Sequence, residues 1–105
     1  MAEYDLGLVK AAAQNLDVEY RGRKVSRDIA NLGYSLSDVC KCLSTLTPDE
    51  FRKTHTYSNG PPDDEYICQY QRDPEEELID ELYIKFCLID NYLVIDIASF
   101  HLPQF

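Results

Sequence analysis

The sequence predicts an α+β domain: a twisted antiparallel sheet with about three helices packed on one face. Three observations predict it. Apolar residues recur at spacings of three and four through Leu46, and they alternate with polar ones from Tyr66 onward. Between the two regimes stands Asn59-Gly60-Pro61-Pro62, a break with strong turn chemistry. At 105 residues the chain is a single domain over residues 1-105, long enough for one hydrophobic core and too short for two.

Each element has its own signal. Asp5 is placed to cap a first helix in which Leu6, Val9, Ala13 and Leu16 form an apolar stripe. Val18-Glu19-Tyr20 reads as a short strand, followed by the basic cluster Arg21-Gly22-Arg23-Lys24 as a turn. Ser26 is placed to cap a second helix carrying Ile29, Ala30 and Leu32, with Gly33 as its left-handed stop. Ser35 and Asp38 resemble a capping box for a third helix with an apolar stripe of Leu36, Val39, Cys40, Leu43 and Leu46. Beyond the break, Tyr66, Cys68 and Tyr70 alternate with Ile67, Gln69 and Gln71. Leu82, Ile84, Phe86 and Leu88 do the same in a second strand. Asp90-Asn91 reads as a tight hairpin turn into a last strand, Tyr92 to Phe100, with Leu93, Ile95 and Ile97 inward.

Charge is divided unevenly. Eight basic and eight acidic residues cancel through Gly60, whereas beyond it only Arg72 and Lys85 oppose eleven carboxylates and account for the net charge of -9. The acidic blocks Asp63-Asp64-Glu65 and Asp73 to Glu77 read as solvated loops. A phosphate-binding protein ordinarily presents a basic face, so this balance opposes a nucleic-acid function. No stretch approaches the roughly 20 apolar residues of a membrane span. The N-terminus also lacks the basic and apolar regions of a signal peptide, so the expected location is cytoplasmic. Cys40, Cys42, Cys68 and Cys87 show no zinc-finger or Cys-x-x-Cys spacing and read as reduced packing thiols.

Side-chain parity suggests where a ligand would sit. If Leu82, Ile84 and Phe86 lie under the helices, Tyr83 and Lys85 point to the opposite, open face, joined by Gln69 and Gln71. Such a face suits a polar ligand, and equally an ordinary solvated surface.

Three segments carry a family resemblance: Thr47 to Ser58, with Glu50-Phe51-Arg52-Lys53 inside it; Tyr66-Ile67-Cys68-Gln69-Tyr70; and Leu82-Tyr83-Ile84-Lys85-Phe86. With the Leu32-Gly33 break they resemble the MqsR family of toxins from bacterial toxin-antitoxin pairs, over about Tyr4 to Phe100. The resemblance implies a RelE-like fold and a ribosome-independent messenger-RNA endoribonuclease, with a cognate antitoxin and single-stranded mRNA as partners and no cofactor. By motif, the family's active-site Lys, Gln and Tyr fall on Lys53, Gln69 and Tyr83. The family's C-terminal Lys has no counterpart, since the chain runs Ala98-Ser99-Phe100-His101 there, and Cys68 stands where a tryptophan usually precedes the Gln.

These residue types suit RNA cleavage by the 2'-hydroxyl, which needs a base, an acid and cationic help for the pentavalent phosphate but no metal. Lys53 supplies charge, or a base if its proton is loosened. Tyr83 is a proton or hydrogen-bond donor, and Gln69 orients phosphate or base. His55 has the intrinsic pKa for acid-base work. His101 is the substitute for the missing Lys, but strict alternation from Leu93 points it inward unless a bulge near Asp96 resets the parity. Arg52, Tyr57, Arg72 and Lys85 are the candidate substrate contacts. Read singly, Lys53 is a surface charge, Tyr83 a sheet-packing residue and His55 an exposed loop histidine. A second function therefore stays open: a non-catalytic acidic protein on the same fold, a nucleic-acid mimic or inhibitor that binds a basic partner.

Overall fold

The structure, a computed structural model, describes residues 1–103. Helix α1 (Leu6–Gln14) leads to strand β1 (Val18–Tyr20), and helices α2 (Arg23–Leu32) and α3 (Leu36–Ser44) follow. A 3-10 turn at Pro48–Glu50 opens into strands β2 (Phe51–His55), β3 (Asp63–Tyr70), β4 (Asp80–Ile89) and β5 (Val94–His101). The fold is α+β, as expected. Its five-stranded sheet has the order β1-β5-β4-β3-β2. β2 to β5 form an antiparallel meander, but β1 joins β5 in parallel, so the sheet is mixed rather than purely antiparallel. A parallel pairing needs a long crossover, and the chain from α2 through β4 supplies it. No described helix is long and apolar enough to cross a membrane.

The helix ends follow the capping chemistry with one exception. Asp5 accepts the Gly7 N–H at 2.7 Å, and Ser35 and Asp38 exchange bonds with each other's backbone at 3.2 and 2.8 Å. Gly33 ends α2 in the left-handed conformation, φ 75°. Ser26, however, lies inside α2. That helix starts three residues earlier because Gly22, at φ 85° and ψ 175°, turns the chain straight out of β1 in a conformation that only glycine adopts readily. Leu16 also departs from its expected stripe: α1 ends at Gln14, and Leu16 is exposed and left-handed in the connection to β1. The other expected stripe residues Leu36 and Ala30 are exposed, while Val25 and Cys42 take buried places.

One core fills the space between the helices and one sheet face. Val9, Val39, Leu43 and Leu46 from the helical half meet Tyr66, Leu82, Ile84, Phe86, Ile95, Ile97 and Phe100 from the sheet, all at most 1 % exposed. Tyr66 stacks on Phe86 at 5.7 Å between ring centres, and Tyr34 meets Phe100 edge-on at 5.8 Å. The four cysteines are free and buried, with the Cys42 and Cys68 sulfurs 3.9 Å apart. The Cys68 contact and burial hold the Cys42 thiol well above the ordinary thiol range.

Three differences in the sheet matter for function. First, β2 forms before the Asn59 to Pro62 break, so the break is the connection of the β2–β3 pair and not the end of the helical half. Second, Asp63, Asp64 and Glu65 open strand β3 and are 0 %, 0 % and 9 % exposed, not solvated in a loop. Asp64 accepts the backbone N–H groups of Glu3 and Tyr4 and the Thr54 hydroxyl, which pins the N-terminal segment to the sheet. Third, β5 begins at Val94, because Asp90, Asn91 and Tyr92 are all left-handed and make a longer turn that leaves Leu93 exposed. β5 also carries a bulge: Lys85 pairs with Ser99 but Phe86 with Ile97, leaving Ala98 as the extra residue. The extra residue lets Ile95, Ile97 and Phe100 all face the core while Ser99 and His101 face the other way.

Candidate active site on the open face

The sheet face away from the core is built by strand alternation. On β3, Tyr66, Cys68 and Tyr70 are buried in the core, so Asp63, Glu65, Ile67 and Gln69 project from the opposite side. Lys53 of β2 and Lys85 of β4 are the register partners of Glu65 on either side, and His55 is the partner of Asp63. Tyr83 and His101 are partners across β4 and β5.

Glu65 is the hub. One of its oxygens, Oε1, takes the His55 Nε2 at 2.6 Å and the Tyr83 hydroxyl at 2.7 Å. Burial pushes the Glu65 carboxyl upward, but the bonds from His55 and Tyr83 and the nearby charges of His55 and Lys53 outweigh it. The carboxyl is held below its ordinary value and is ionised at neutral pH. The same contact acts on Tyr83 in the other direction. Burial first, then Glu65, push its phenol up to about 12, so it is a neutral donor. The Tyr83 ring stacks on His101 at 5.2 Å with 14° between planes. His101 Nδ1 lies 2.7 Å from the Leu102 carbonyl, which can only accept, so Nδ1 carries the proton and Nε2 the lone pair in the neutral ring.

A second cluster adjoins the first. The Arg21 guanidinium grips both oxygens of Asp63 at 2.9 and 3.0 Å and reaches Asp96 at 2.8 Å, and the Tyr57 hydroxyl donates to Asp63 at 2.8 Å. Burial works against the Asp63 charge, but Arg21, Tyr57 and Lys85 together hold its carboxyl below the ordinary range. Arg21 is correspondingly held above its usual value by the bond to Asp63. Cys87 lies 3.2 Å from this guanidinium, and burial nevertheless pushes its thiol up to about 11, which leaves it unreactive.

Lys53, His55, Tyr57, Tyr83, Lys85 and His101 thus share one face, whereas three other expected site residues do not join them. Gln69 is on the face but four residues along β3 from Glu65, about 13 Å at the usual strand rise, opposite Glu81. The middle-strand residue facing Lys53 is Glu65. Arg52 sits at the β2 bulge with its guanidinium on the Asp49 and Phe51 carbonyls. Arg72 is fixed elsewhere, donating to the Gly33 carbonyl and lying 5.1 Å from the centre of the Tyr34 ring, so it fastens the β3–β4 loop to the end of α2.

His55 is a bonded strand residue and not a loop histidine. Sequence reasoning missed Glu65, Asp63 and Arg21. The signal for the two acids was available: carrying the Tyr66, Cys68, Tyr70 alternation back by two places puts Glu65 and Asp63 on the same side as Gln69. Arg21 had none, because only the fold brings it 42 residues along the chain to Asp63. Among the described residues no group of three or more His, Cys, Asp or Glu is placed to hold a metal ion.

The family model described as "Motility quorum-sensing regulator, toxin of MqsA" matches residues 1–101 of the chain. No curated protein matches it.

Proposed function

From the premise that this chain belongs to the MqsR toxin family, we propose that it is an endoribonuclease that cleaves single-stranded messenger RNA without ribosome or metal, held in check by a cognate antitoxin. The observation that carries this reading is the row of imidazole, carboxylate, phenol and imidazole formed by His55, Glu65, Tyr83 and His101, flanked by Lys53 and Lys85.

In the proposed reaction the 2'-hydroxyl attacks the adjacent phosphorus and its proton passes to His55. The bond from phosphorus to the 5'-oxygen breaks, and that oxygen takes a proton from the Nε2 of a protonated His101. The products are a 2',3'-cyclic phosphate and a free 5'-hydroxyl, so atoms and charge balance without an added reagent. Lys53 and Lys85 meet the phosphate oxygens as negative charge builds in the transition state. Tyr83 holds the His101 ring by stacking. Gln69 contacts the RNA strand beyond the scissile phosphate.

The acidic balance does not oppose this assignment as directly as it did in the sequence. Asp63 is occupied by Arg21 and Tyr57, and Glu65 by His55 and Tyr83, so both carboxylates are hydrogen-bonded within the face. Asp73 to Glu77 are exposed in the β3–β4 connection, at the Tyr70 end of the sheet.

The test is cleavage of a long single-stranded RNA by purified protein in EDTA, beside Lys53→Ala, His55→Ala and Tyr83→Phe. Discrete fragments ending in cyclic phosphate, lost in Lys53→Ala and His55→Ala, are expected. RNA left intact by micromolar folded protein refutes the reading and favours the non-catalytic acidic protein.

A further inference from the structure

The reaction above gives no role to the Glu65 carboxylate, although it bonds both His55 and Tyr83. Its surroundings are specific. From β2 it faces His55 and Lys53, and from β4 it faces Tyr83 and Lys85. An almost buried carboxylate with a lysine opposite on each side would ordinarily settle into a lysine ion pair. Among the described residues its one ion-pair partner is His55. The lysine charges are thereby left to a phosphate, while the carboxylate is committed to the base His55 and to Tyr83, which carries His101.

We propose that Glu65 is the positioning residue of this site: by accepting two hydrogen bonds at Oε1 it fixes the tautomer of His55 and the donor direction of Tyr83. An ionised carboxylate has no proton to give, so each contact at Oε1 is a donated one, Nε2–H from His55 and O–H from Tyr83. A neutral His55 bonded in this way has its lone pair on Nδ1, and that nitrogen is then the base. If Nδ1 carried the proton instead, Nε2 and Oε1 would face each other as two acceptors at 2.6 Å, which is repulsive. The Tyr83 bond locks the same oxygen from β4, so the imidazole is held between strands and not by its own χ angles alone. Because Tyr83 also carries His101, the carboxylate aligns the base directly and the acid through one intermediary. As a statement about catalysis this rests on the ribonuclease reading; as a statement about the His55 proton it does not.

The experiment therefore has two arms, both on the full chain. In the first, the ring N–H of His55 is followed by proton-nitrogen NMR in wild type and in Glu65→Ala, which removes both acceptor oxygens. A downfield proton on Nε2 in the wild type that disappears in the variant is expected; a proton on Nδ1, or an Nε2 signal unchanged in Glu65→Ala, overturns the proposal. In the second, RNA cleavage is measured for wild type, Glu65→Ala and Glu65→Gln, which keeps one acceptor oxygen. Glu65→Ala is expected to lower kcat by about 10-fold or more, within the range of general acid-base contributions, with KM little changed and partial rescue by Glu65→Gln. A Glu65→Ala enzyme within about twofold of wild type overturns the positioning role, since a misaligned base cannot leave the rate intact. Wild-type protein that leaves RNA uncut while keeping the Nε2 signal refutes the ribonuclease reading and leaves the His55–Glu65 assignment standing.

Discussion

Replacing Asp64 by alanine tests how the N-terminal segment is held to the sheet. Asp64 is fully buried and accepts from the backbone of Glu3 at 3.0 Å, the backbone of Tyr4 at 2.9 Å and the Thr54 hydroxyl at 2.6 Å. The three donors do not suffer equally. Glu3 is exposed, so water replaces its partner, and the half-buried Thr54 hydroxyl can rotate to another acceptor. Tyr4 is buried, and its N–H is left without a partner at about 1.5–3 kcal/mol for a bond to a charged group, with about 0.5–1 kcal/mol for each of the others. The total is about 2.5–5 kcal/mol, a large share of the usual 5–15 kcal/mol of domain stability. With a urea m-value near the low end of the usual range, about 1–1.5 kcal/mol/M, the midpoint falls by about 2–5 M. The assay is urea unfolding followed by circular dichroism, with Asp64→Asn, which keeps one acceptor oxygen, expected between the two. Because Asp64 lies on the side of β3 opposite Glu65, RNA cleavage in dilute buffer should survive the change. An Asp64→Ala midpoint within about 0.5 M of wild type would refute the reasoning: it would mean that desolvating the carboxylate costs as much as its three bonds return.

Asp63 and Glu65 have folded pKa values below their unfolded ones, so the unfolded chain binds more protons; their contribution is complete above the ordinary carboxylate range near pH 4 and is lost as pH falls through the depressed values. The wild-type unfolding midpoint should therefore drop more steeply below about pH 4 than that of Glu65→Gln, and parallel curves would show that Glu65 is not stabilised by its partners. Burial and the Glu65 carboxylate hold the Tyr83 phenol at about 12; Glu65→Gln should move its titration downward in carbon NMR of labelled tyrosine, whereas an unmoved titration would mean that burial acts alone. Gly22→Ala places a Cβ where no atom lies within 4 Å but forces a non-glycine residue to φ 85°, at an expected cost of about 1–3 kcal/mol in thermal or urea unfolding. A neutral result there would show that α2 can start at another residue. Arg72→Ala should destabilise the β3–β4 loop and leave RNA cleavage within about twofold, since its contacts are with Gly33 and Tyr34 and not with the open face.

What the sequence by itself determined is local. Helix caps at Asp5, Ser35 and Gly33, the alternation of β3 and β4, and the sidedness of Tyr83 and Lys85 follow from interactions within a few residues, and the structure carries them all. The family was legible too, in the segments around Lys53, Gln69 and Tyr83. What only the tertiary structure decided depends on registers between strands. Glu65 became the hub, and Gln69 an outlying residue, because β2 pairs only with the Asp63 end of β3 and β4 sets Lys85 opposite Glu65 but Glu81 opposite Gln69; composition alone reads those acids as solvent-facing charge. His101 reached the site because one extra residue, Ala98, was accommodated as a bulge. Strict alternation would have left Phe100 outside and His101 in the core, and burying a Phe side chain in place of an imidazole is worth about 1.5–3 kcal/mol. That preference belongs to the packed core as a whole, and it is paid out between β4 and β5, so no window of sequence around His101 contains it.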